Sequence, residues 1–252
     1  MTVRPLVIAH RGDSAHRPEN TLASFASALE VGATLVELDV QLTADGHVVV
    51  IHDPTLDRTT SSRGDVRRMT LAQVRQVSAG FPARFGNAFT DQRVPTLAEV
   101  LALARDRARV MIEIKNESVT EDVEGGVEAH TVAEVRRLGM GDHVALISFD
   151  HRALLHCRSL APEMATGHLF GRGSVEEMLA AAQDAGCTVL MPHKSQLDDG
   201  LAARVRDAGL KLATWVVDEP AELKDLARFG LYGVGSNRPG VLLQALENGL
   251  LD

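Results

Sequence analysis

Two short apolar stretches carry charged side chains at a spacing that could do chemistry. Glu37-Leu38-Asp39 places two carboxylates inside the run 35–40. In a strand, residues i and i+2 share a face, so these acids sit side by side while Val36, Leu38 and Val40 turn the other way. Ile112-Glu113-Ile114-Lys115 repeats the arrangement, with Glu113 and Lys115 on one face. Carboxylates in an apolar strand are costly unless positive charge compensates them. If the two strands converge, Glu37, Asp39 and Glu113 supply three oxygen donors, which suit one hard divalent cation, Ca²⁺ or Mg²⁺. The plainer alternative is a Glu–Lys ion pair with no metal. His10 and His52 each close an apolar run, and turn chemistry follows each: Arg11-Gly12-Asp13 and Asp53-Pro54. Imidazole titrates near neutrality, so a neutral and a protonated histidine can serve as general base and acid. Either histidine alone is as readily structural; the two together beside the carboxylates read as a catalytic pair. Arg11 can hold a phosphate through its planar guanidinium.

The elements that must position these groups alternate along the chain. Apolar β-type runs occupy 6–10, 35–40, 48–52, 110–115, 144–149, 165–170, 188–192, 211–217 and 232–236. Between them, 22–31, 97–107, 127–138, 151–159, 175–184, 201–208 and 219–228 carry apolar residues at i, i+3, i+4 spacing. Asn20-Thr21, Thr96 with Glu99, Ser174 with Glu177, and Asp218 read as helix starts, and Gly32, Gly139, Gly186, Gly209 and Gly230 as stops. Repeated strand–helix units imply right-handed crossovers and a parallel sheet. Nine runs are one too many for a (β/α)8 barrel. However, 48–52 follows 35–40 after only a short segment holding an Asp-Gly turn, with no room for a crossover helix, so it reads as a return attached to the second strand. Eight units remain, and a TIM (β/α)8 barrel is predicted, as one domain over 1–252. The alternative, an open doubly wound sheet, lacks a Gly-rich phosphate fingerprint after the first strand. From about 58 to 93 the rhythm breaks into a polar, Gly-punctuated stretch with one amphipathic patch at 71–77, which predicts a capping insertion over the barrel mouth.

Composition narrows the partners. The chain has 252 residues, 26 Lys and Arg against 34 Asp and Glu, and a formal charge of −8. An acidic surface with no basic run argues against nucleic acid and anionic lipid, so any phosphate-bearing partner must be caught by a local site. No apolar stretch is long enough to span a membrane. Two cysteines, Cys157 and Cys187, give no disulfide framework and fit a reducing compartment, and the short N-terminal apolar run is no signal peptide; a cytoplasmic protein is expected.

The string as a whole resembles the glycerophosphodiester phosphodiesterase family. The likeness is carried by Ile8-Ala9-His10-Arg11-Gly12, Pro18-Glu19-Asn20-Thr21, Glu37-Leu38-Asp39-Val40, Asp45-Gly46 and the stretch from His52-Asp53 through Leu56-Asp57-Arg58-Thr59-Thr60. It continues through Val94-Pro95-Thr96-Leu97, Ile112-Glu113-Ile114-Lys115, Ser148-Phe149-Asp150, Trp215 and Asn237-Arg238-Pro239. The resemblance implies Glu37, Asp39 and Glu113 as metal ligands, His10 and His52 as the acid–base pair, and Arg11 and Lys115 at the phosphate. It also implies Trp215 as a wall for the glycerol, and hydrolysis to sn-glycerol 3-phosphate and an alcohol. Many relatives carry Thr-Asp where this chain has Ser236-Asn237, and Glu19 either lines the metal site or caps the helix near Thr21. His168 and His193 read as structural or peripheral. No Ser, Thr or Cys stands beside a histidine in these motifs. Attack by the substrate's own 2-hydroxyl, through a cyclic 1,2-phosphate, is therefore the expected route. A lysophospholipase D-type activity would need an apolar channel near the insertion, for which Phe81, Phe85 and Phe89 are the material. A non-catalytic phosphodiester-binding protein would not need both histidines.

Overall fold

Parallel strands buried on both faces read as near-continuous apolar runs, and the runs of this chain close on themselves. The structure is a computed structural model that describes residues 4–252. Its strands are β1 (Leu6–His10), β2 (Leu35–Leu42), β3 (Val48–Val50), β4 (Arg109–Ile114), β5 (Val144–Ser148), β6 (Ala165–Phe170), β7 (Val189–Pro192), β8 (Lys211–Thr214) and β9 (Gly233–Ser236). Eight of them run parallel in the order β1-β2-β4-β5-β6-β7-β8-β9, and β9 pairs back onto β1 to close a TIM barrel. The ninth, β3, runs antiparallel to β2, with Val50 opposite Val40, and its Val49 bridges to Thr96 on the other side. The return after the second strand is thus confirmed, but it ends at Val50, and His52 lies in the bend beyond it.

Helices cover the outside: α1 (Leu22–Glu30), α2 (Leu71–Val74), α3 (Pro82–Phe85), α4 (Leu97–Ala104), α5 (Val127–Arg137), α6 (His151–Leu160), α7 (Val175–Asp184), α8 (Asp199–Asp207), α9 (Pro220–Leu226) and α10 (Pro239–Glu247). Thr21, Thr96 and Ser174 cap α1, α4 and α7, the last two in complete capping boxes with Glu99 and Glu177. Asp218 departs from expectation. It caps no helix, and α9 starts after Glu219 with no side-chain cap. Helix α10, which the periodicity reading left out, opens with Pro239 in its first turn, where the missing N–H costs nothing, and buries Leu242 and Leu246.

The two-residue alternation sorts the strand side chains as expected. Val36, Leu38, Val40, Ile112 and Ile114 join the layer beneath the helices with Phe25, Leu97 and Leu101. Ile8, Leu35, Met111, Ile147, Leu169, Val189 and Met191 fill the barrel interior. That interior is tight: a Cβ on Gly167 would stand 2.5 Å from Val189 Cγ1. Register places His10 level with Glu37, and Asp39 level with Glu113, at the C-terminal end of the barrel. Segment 58–93 holds a small core of its own, in which Val66, Val74 and Ala79 pack with Leu56, Val49, Ile51 and Val94.

Candidate active site

The predicted carboxylates meet. Glu37, Asp39 and Glu113, each buried, offer oxygens that all lie within 4.8 Å of one another. Three acids this close cannot all stay ionised without compensation. Burial and the neighbouring Asp39 and Glu113 push the Glu37 carboxyl well above its usual range, and burial and Asp39 push Glu113 up to about 7. Burial would also raise Asp39, but Arg11, Lys115 and His52 outweigh it and hold that carboxyl below the ordinary range. Lys115 Nζ donates to Glu113 Oε1 at 2.6 Å and stands 3.5 Å from Asp39 Oδ1, and Arg11 Nε stands 3.2 Å from Asp39 Oδ2. Asn20 Nδ2 donates to the same Asp39 oxygen at 2.8 Å. Asn20 and Arg11 both hold positive φ, +58° and +56°, an uncommon backbone state for such residues that bends the β1–α1 loop onto Asp39. With the trio ionised, Arg11 and Lys115 leave one negative charge uncompensated. Glu37 Oε1 and Asp39 Oδ1 are buried with no hydrogen-bond partner. Orphaned carboxylate oxygens in an all-oxygen donor set fit a hard divalent cation better than a closed ion-pair network.

The histidines flank this trio. His10 Nδ1 bonds Asn237 Oδ1 at 2.8 Å, and its Nε2 stands 4.0 Å from Glu37 Oε2. Burial and the charge of Arg11 push its pKa down to about 4, so the ring is neutral near pH 7. His52 Nδ1 bonds Asp53 Oδ1 at 2.6 Å, and Lys115 Nζ stands 3.0 Å from His52 Nε2. Arg58 then clamps Asp53 and Glu19 together through four hydrogen bonds of 2.8 to 2.9 Å. Glu19 also accepts from Arg11 Nη1 at 2.9 Å, so it acts as a brace for two arginines and caps no helix. Of these, His10, Arg11, Glu37, His52, Glu113 and Lys115 line one side of a cleft of about 270 Å³ at the barrel mouth. The opposite wall is apolar: Ile147, Phe149, Leu169, Met191 and Trp215. Trp215 meets Phe149 edge to face at 5.4 Å and donates its indole N–H to the Met191 carbonyl at 3.0 Å. Phe81, Phe85 and Phe89 do not line this cleft, which removes the expected material for an apolar channel.

The comparison with known families decides which group of proteins shares this arrangement. Residues 10–241 match the model of the glycerophosphoryl diester phosphodiesterase family. The chain belongs to that family. A glycerophosphodiester phosphodiesterase of Caldanaerobacter subterraneus subsp. tengcongensis is 37% identical over 248 residues, 98% of this chain and 100% of the relative. Among solved structures, a phosphodiesterase of Oleispira antarctica, in complex with the product sn-glycerol-3-phosphate, superposes with a TM-score of 0.86 at 29% identity, covering 96% of this chain and 97% of the other. A glycerophosphodiester phosphodiesterase of Agrobacterium tumefaciens gives 0.82 at 29% identity, covering 96% and 100%.

In this member of the family His10, Arg11, Glu37, His52, Glu113, Lys115 and Trp215 line the cleft, Asp39 is buried beside them, and further contacts join them that the motifs do not announce. At Ser236-Asn237, the departure noted above, the strand end does reach the site. Asp218 Oδ1 accepts from the Asn237 amide N–H at 2.7 Å and from Ser236 Oγ at 3.0 Å, while Asp218 Oδ2 accepts from Asn237 Nδ2 at 2.9 Å. That carboxylate fixes which way the Asn237 amide points and leaves Oδ1 for His10 Nδ1–H and for Ser14 Oγ at 3.0 Å. Asp218, Asn237, Asn20, Asp53 and Arg58 were therefore missed as site residues. Asp218 in particular looked like a helix cap, and only the loop's approach to β9 reveals its partner. His168 faces outward from the barrel toward His151, and His193 stacks on Trp215 at 5.0 Å but binds Ser195, so both stay peripheral.

Proposed function

We propose that the chain, as a single barrel domain capped by segment 58–93, hydrolyses glycerophosphodiesters to sn-glycerol 3-phosphate and an alcohol. The observation that carries this reading is the meeting of His10, His52 and three carboxylates in one cleft, since binding alone would need no pair of histidines at a charged trio. Glu37, Asp39 and Glu113 would hold Ca²⁺ or Mg²⁺. When bound, that cation would neutralise charge developing on the phosphoryl oxygens and favour the alkoxide of the attacking hydroxyl. Arg11 and Lys115 bring positive charge to the non-bridging oxygens, and the Trp215 wall receives the carbon skeleton of glycerol.

His10 is the base of the first step. Its Nδ1–H is committed to Asn237, its lowered pKa keeps it neutral, and Nε2 carries the free lone pair. That nitrogen takes the proton of the glycerol 2-hydroxyl, the 2-oxygen bonds to phosphorus, and the P–O bond to the alcohol breaks with its electron pair leaving on oxygen. His52, braced by Asp53 and beside Lys115, gives the leaving oxygen its proton. In the second step His52 takes a proton from water, the water oxygen opens the cyclic 1,2-phosphate, and His10 returns its proton to the 2-oxygen. A positioned internal nucleophile can reach effective molarities of roughly 10⁵–10⁸ M, which is the advantage of this route over direct attack by water.

The test is a turnover screen of glycerophosphocholine, glycerophosphoethanolamine, glycerophosphoglycerol and lysophospholipids, with Ca²⁺ and Mg²⁺ compared. Glycerophosphodiester turnover that stops on chelation is expected, and no turnover of any of these esters overturns the reading. A substrate lacking the 2-hydroxyl should bind and barely react, and ³¹P NMR of early time points should show the cyclic ester. Equal rates for deoxy and normal substrates would leave direct hydrolysis by water.

A further inference from the structure

The capping segment is charged opposite to the rest of the chain. Residues 58–93 hold seven arginines, no lysine and two aspartates, a net +5 in a chain whose total is −8, so the remainder carries −13. Arg58, Arg67, Arg68 and Arg75 lie within reach of carboxylates. Arg63, Arg84 and Arg93 are exposed and have no ion-pair partner among the described residues. Arg84 instead lies over the ring of Phe85 at 5.0 Å and donates to the Ala15 carbonyl, while Arg93 donates to the carbonyls of Thr90 and Gln92.

The ring beside Arg84 belongs to a chain of three, with Arg58 over Phe81 and Arg17 over Phe89. Phe81 meets Phe85 edge to face at 6.3 Å, and Phe85 meets Phe89 at 5.4 Å. All three are partly exposed, and Pro82, Ala83 and Ala88 between them are exposed. The patch borders the barrel mouth. Arg58, over Phe81 at 5.7 Å, is the same residue that clamps Glu19 and Asp53, and the Ala15 amide N–H donates to the Asn237 carbonyl. Aromatic rings flanked by guanidinium groups suit a membrane–water interface, where the rings settle at the headgroup level and the cations meet lipid phosphates.

We propose that the face formed by segment 58–93 docks on an anionic phospholipid bilayer and presents the barrel mouth to the membrane surface. Charge complementarity selects this occupant. A bilayer meets one face of the molecule, so screening blunts the repulsion from the acidic body behind it, whereas a nucleic acid long enough to wrap would meet that body. The choice of a lipid surface rests on reading the cleft as a glycerophosphodiesterase, whose substrates are deacylated phospholipid headgroups.

Flotation of the full chain with phosphatidylglycerol-containing vesicles and with pure phosphatidylcholine vesicles tests the proposal. Co-flotation with the anionic vesicles only, reversed by high salt, is expected. Arg63→Gln/Arg84→Gln/Arg93→Gln should weaken partitioning by on the order of a hundredfold, at about fivefold for each charge lost. Phe85→Ser/Phe89→Ser should weaken it as well. Both variants should turn over a water-soluble glycerophosphodiester as the wild type does, which shows they are folded. Failure of turnover in the wild type counts against the catalytic reading alone, whereas failure to float counts against docking alone. Absence from both vesicle fractions, equal binding to neutral vesicles, or variants that float like wild type would overturn the proposal. So would light scattering showing that the same arginines hold two copies of the chain together, or retention of an oligonucleotide in place of vesicles.

Discussion

At the scale of single residues, burial keeps the His10 imidazole neutral beside Glu37, and the proposed acid–base roles can be tested one side chain at a time. His10→Ala and His52→Ala should each lower kcat by about 10²–10⁴-fold, the usual worth of positioned acid–base catalysis, with circular dichroism unchanged because both rings sit at the mouth. Near-normal turnover in either variant would remove that residue from the mechanism. The burial of His10 also has a pH signature. Its folded pKa of about 4 lies below the 6.5 of an ordinary exposed imidazole, so the folded state binds its proton less readily than the unfolded state does. The stability it contributes is therefore present above pH 6.5 and lost as the pH falls through 4. Urea unfolding should show the wild type losing on the order of 3 kcal/mol relative to His10→Gln across that window, and parallel curves would refute the assignment. Asn237→Ala removes the acceptor that holds the Nδ1–H tautomer, and ¹⁵N NMR should then show His10 as a mixture of tautomers.

Elements hold these residues because several independent devices agree. Thr96 and Ser174 close capping boxes at the helices that follow β3 and β6, and replacing either threonine or serine with alanine should cost about 1 kcal/mol in thermal unfolding. Segment 58–93 looks polar throughout, yet Leu56, Val66 and Val74 are fully buried in its core. Because Arg58 at its start braces Asp53 and hence His52, the cap and the acid–base pair are mechanically joined. Leu56→Ala should cost about 2–4 kcal/mol and raise hydrogen exchange in 58–93 before the barrel strands, with kcat falling although no cleft residue has changed. Uniform exchange across cap and barrel would show instead that the two unfold together.

For the whole molecule, the proposed ion site would couple folding to ion binding. Without a divalent ion, the barrel buries three carboxylates against two cations. An ion that binds only the folded state stabilises it by mass action, about 2.7 kcal/mol at a hundredfold excess over Kd. The melting temperature should therefore rise with added Ca²⁺ or Mg²⁺ and fall back on chelation. Glu37→Gln, Asp39→Asn and Glu113→Gln should each abolish that rise and weaken ion binding in calorimetry by more than about tenfold, as even the loss of outer contacts around a metal does. If the wild type shows no heat of binding, Glu37, Asp39, Glu113, Arg11 and Lys115 form an ion-pair network and no more.

The barrel, the attached return at β3 and the shared face of Glu37, Asp39 and Glu113 were legible in the sequence because each depends on short-range pattern. A two-residue alternation determines which face Glu37, Asp39 and Glu113 occupy, a Thr-x-x-Glu spacing starts α4, and an Asp-Gly turn leaves no room for a crossover. Resemblance to a family supplied the roles. What the tertiary structure decided was whatever depends on distant chain segments meeting. Asp218 carries the spacing of a helix cap; the pairing of β8 with β9 gives it Asn237 to hold, and the closure of β9 onto β1 ties that amide to His10, more than two hundred residues from Asp218 in sequence. Arg58, Asp53 and Glu19 are ordinary loop residues until the insertion folds back over the β1–α1 loop. The excess of arginine in 58–93 is itself a sequence feature, masked because net charge sums over the whole chain; what only folding decided is that Arg58 and Arg75 meet carboxylates of the barrel while Arg63, Arg84 and Arg93 have no ion-pair partner among the described residues.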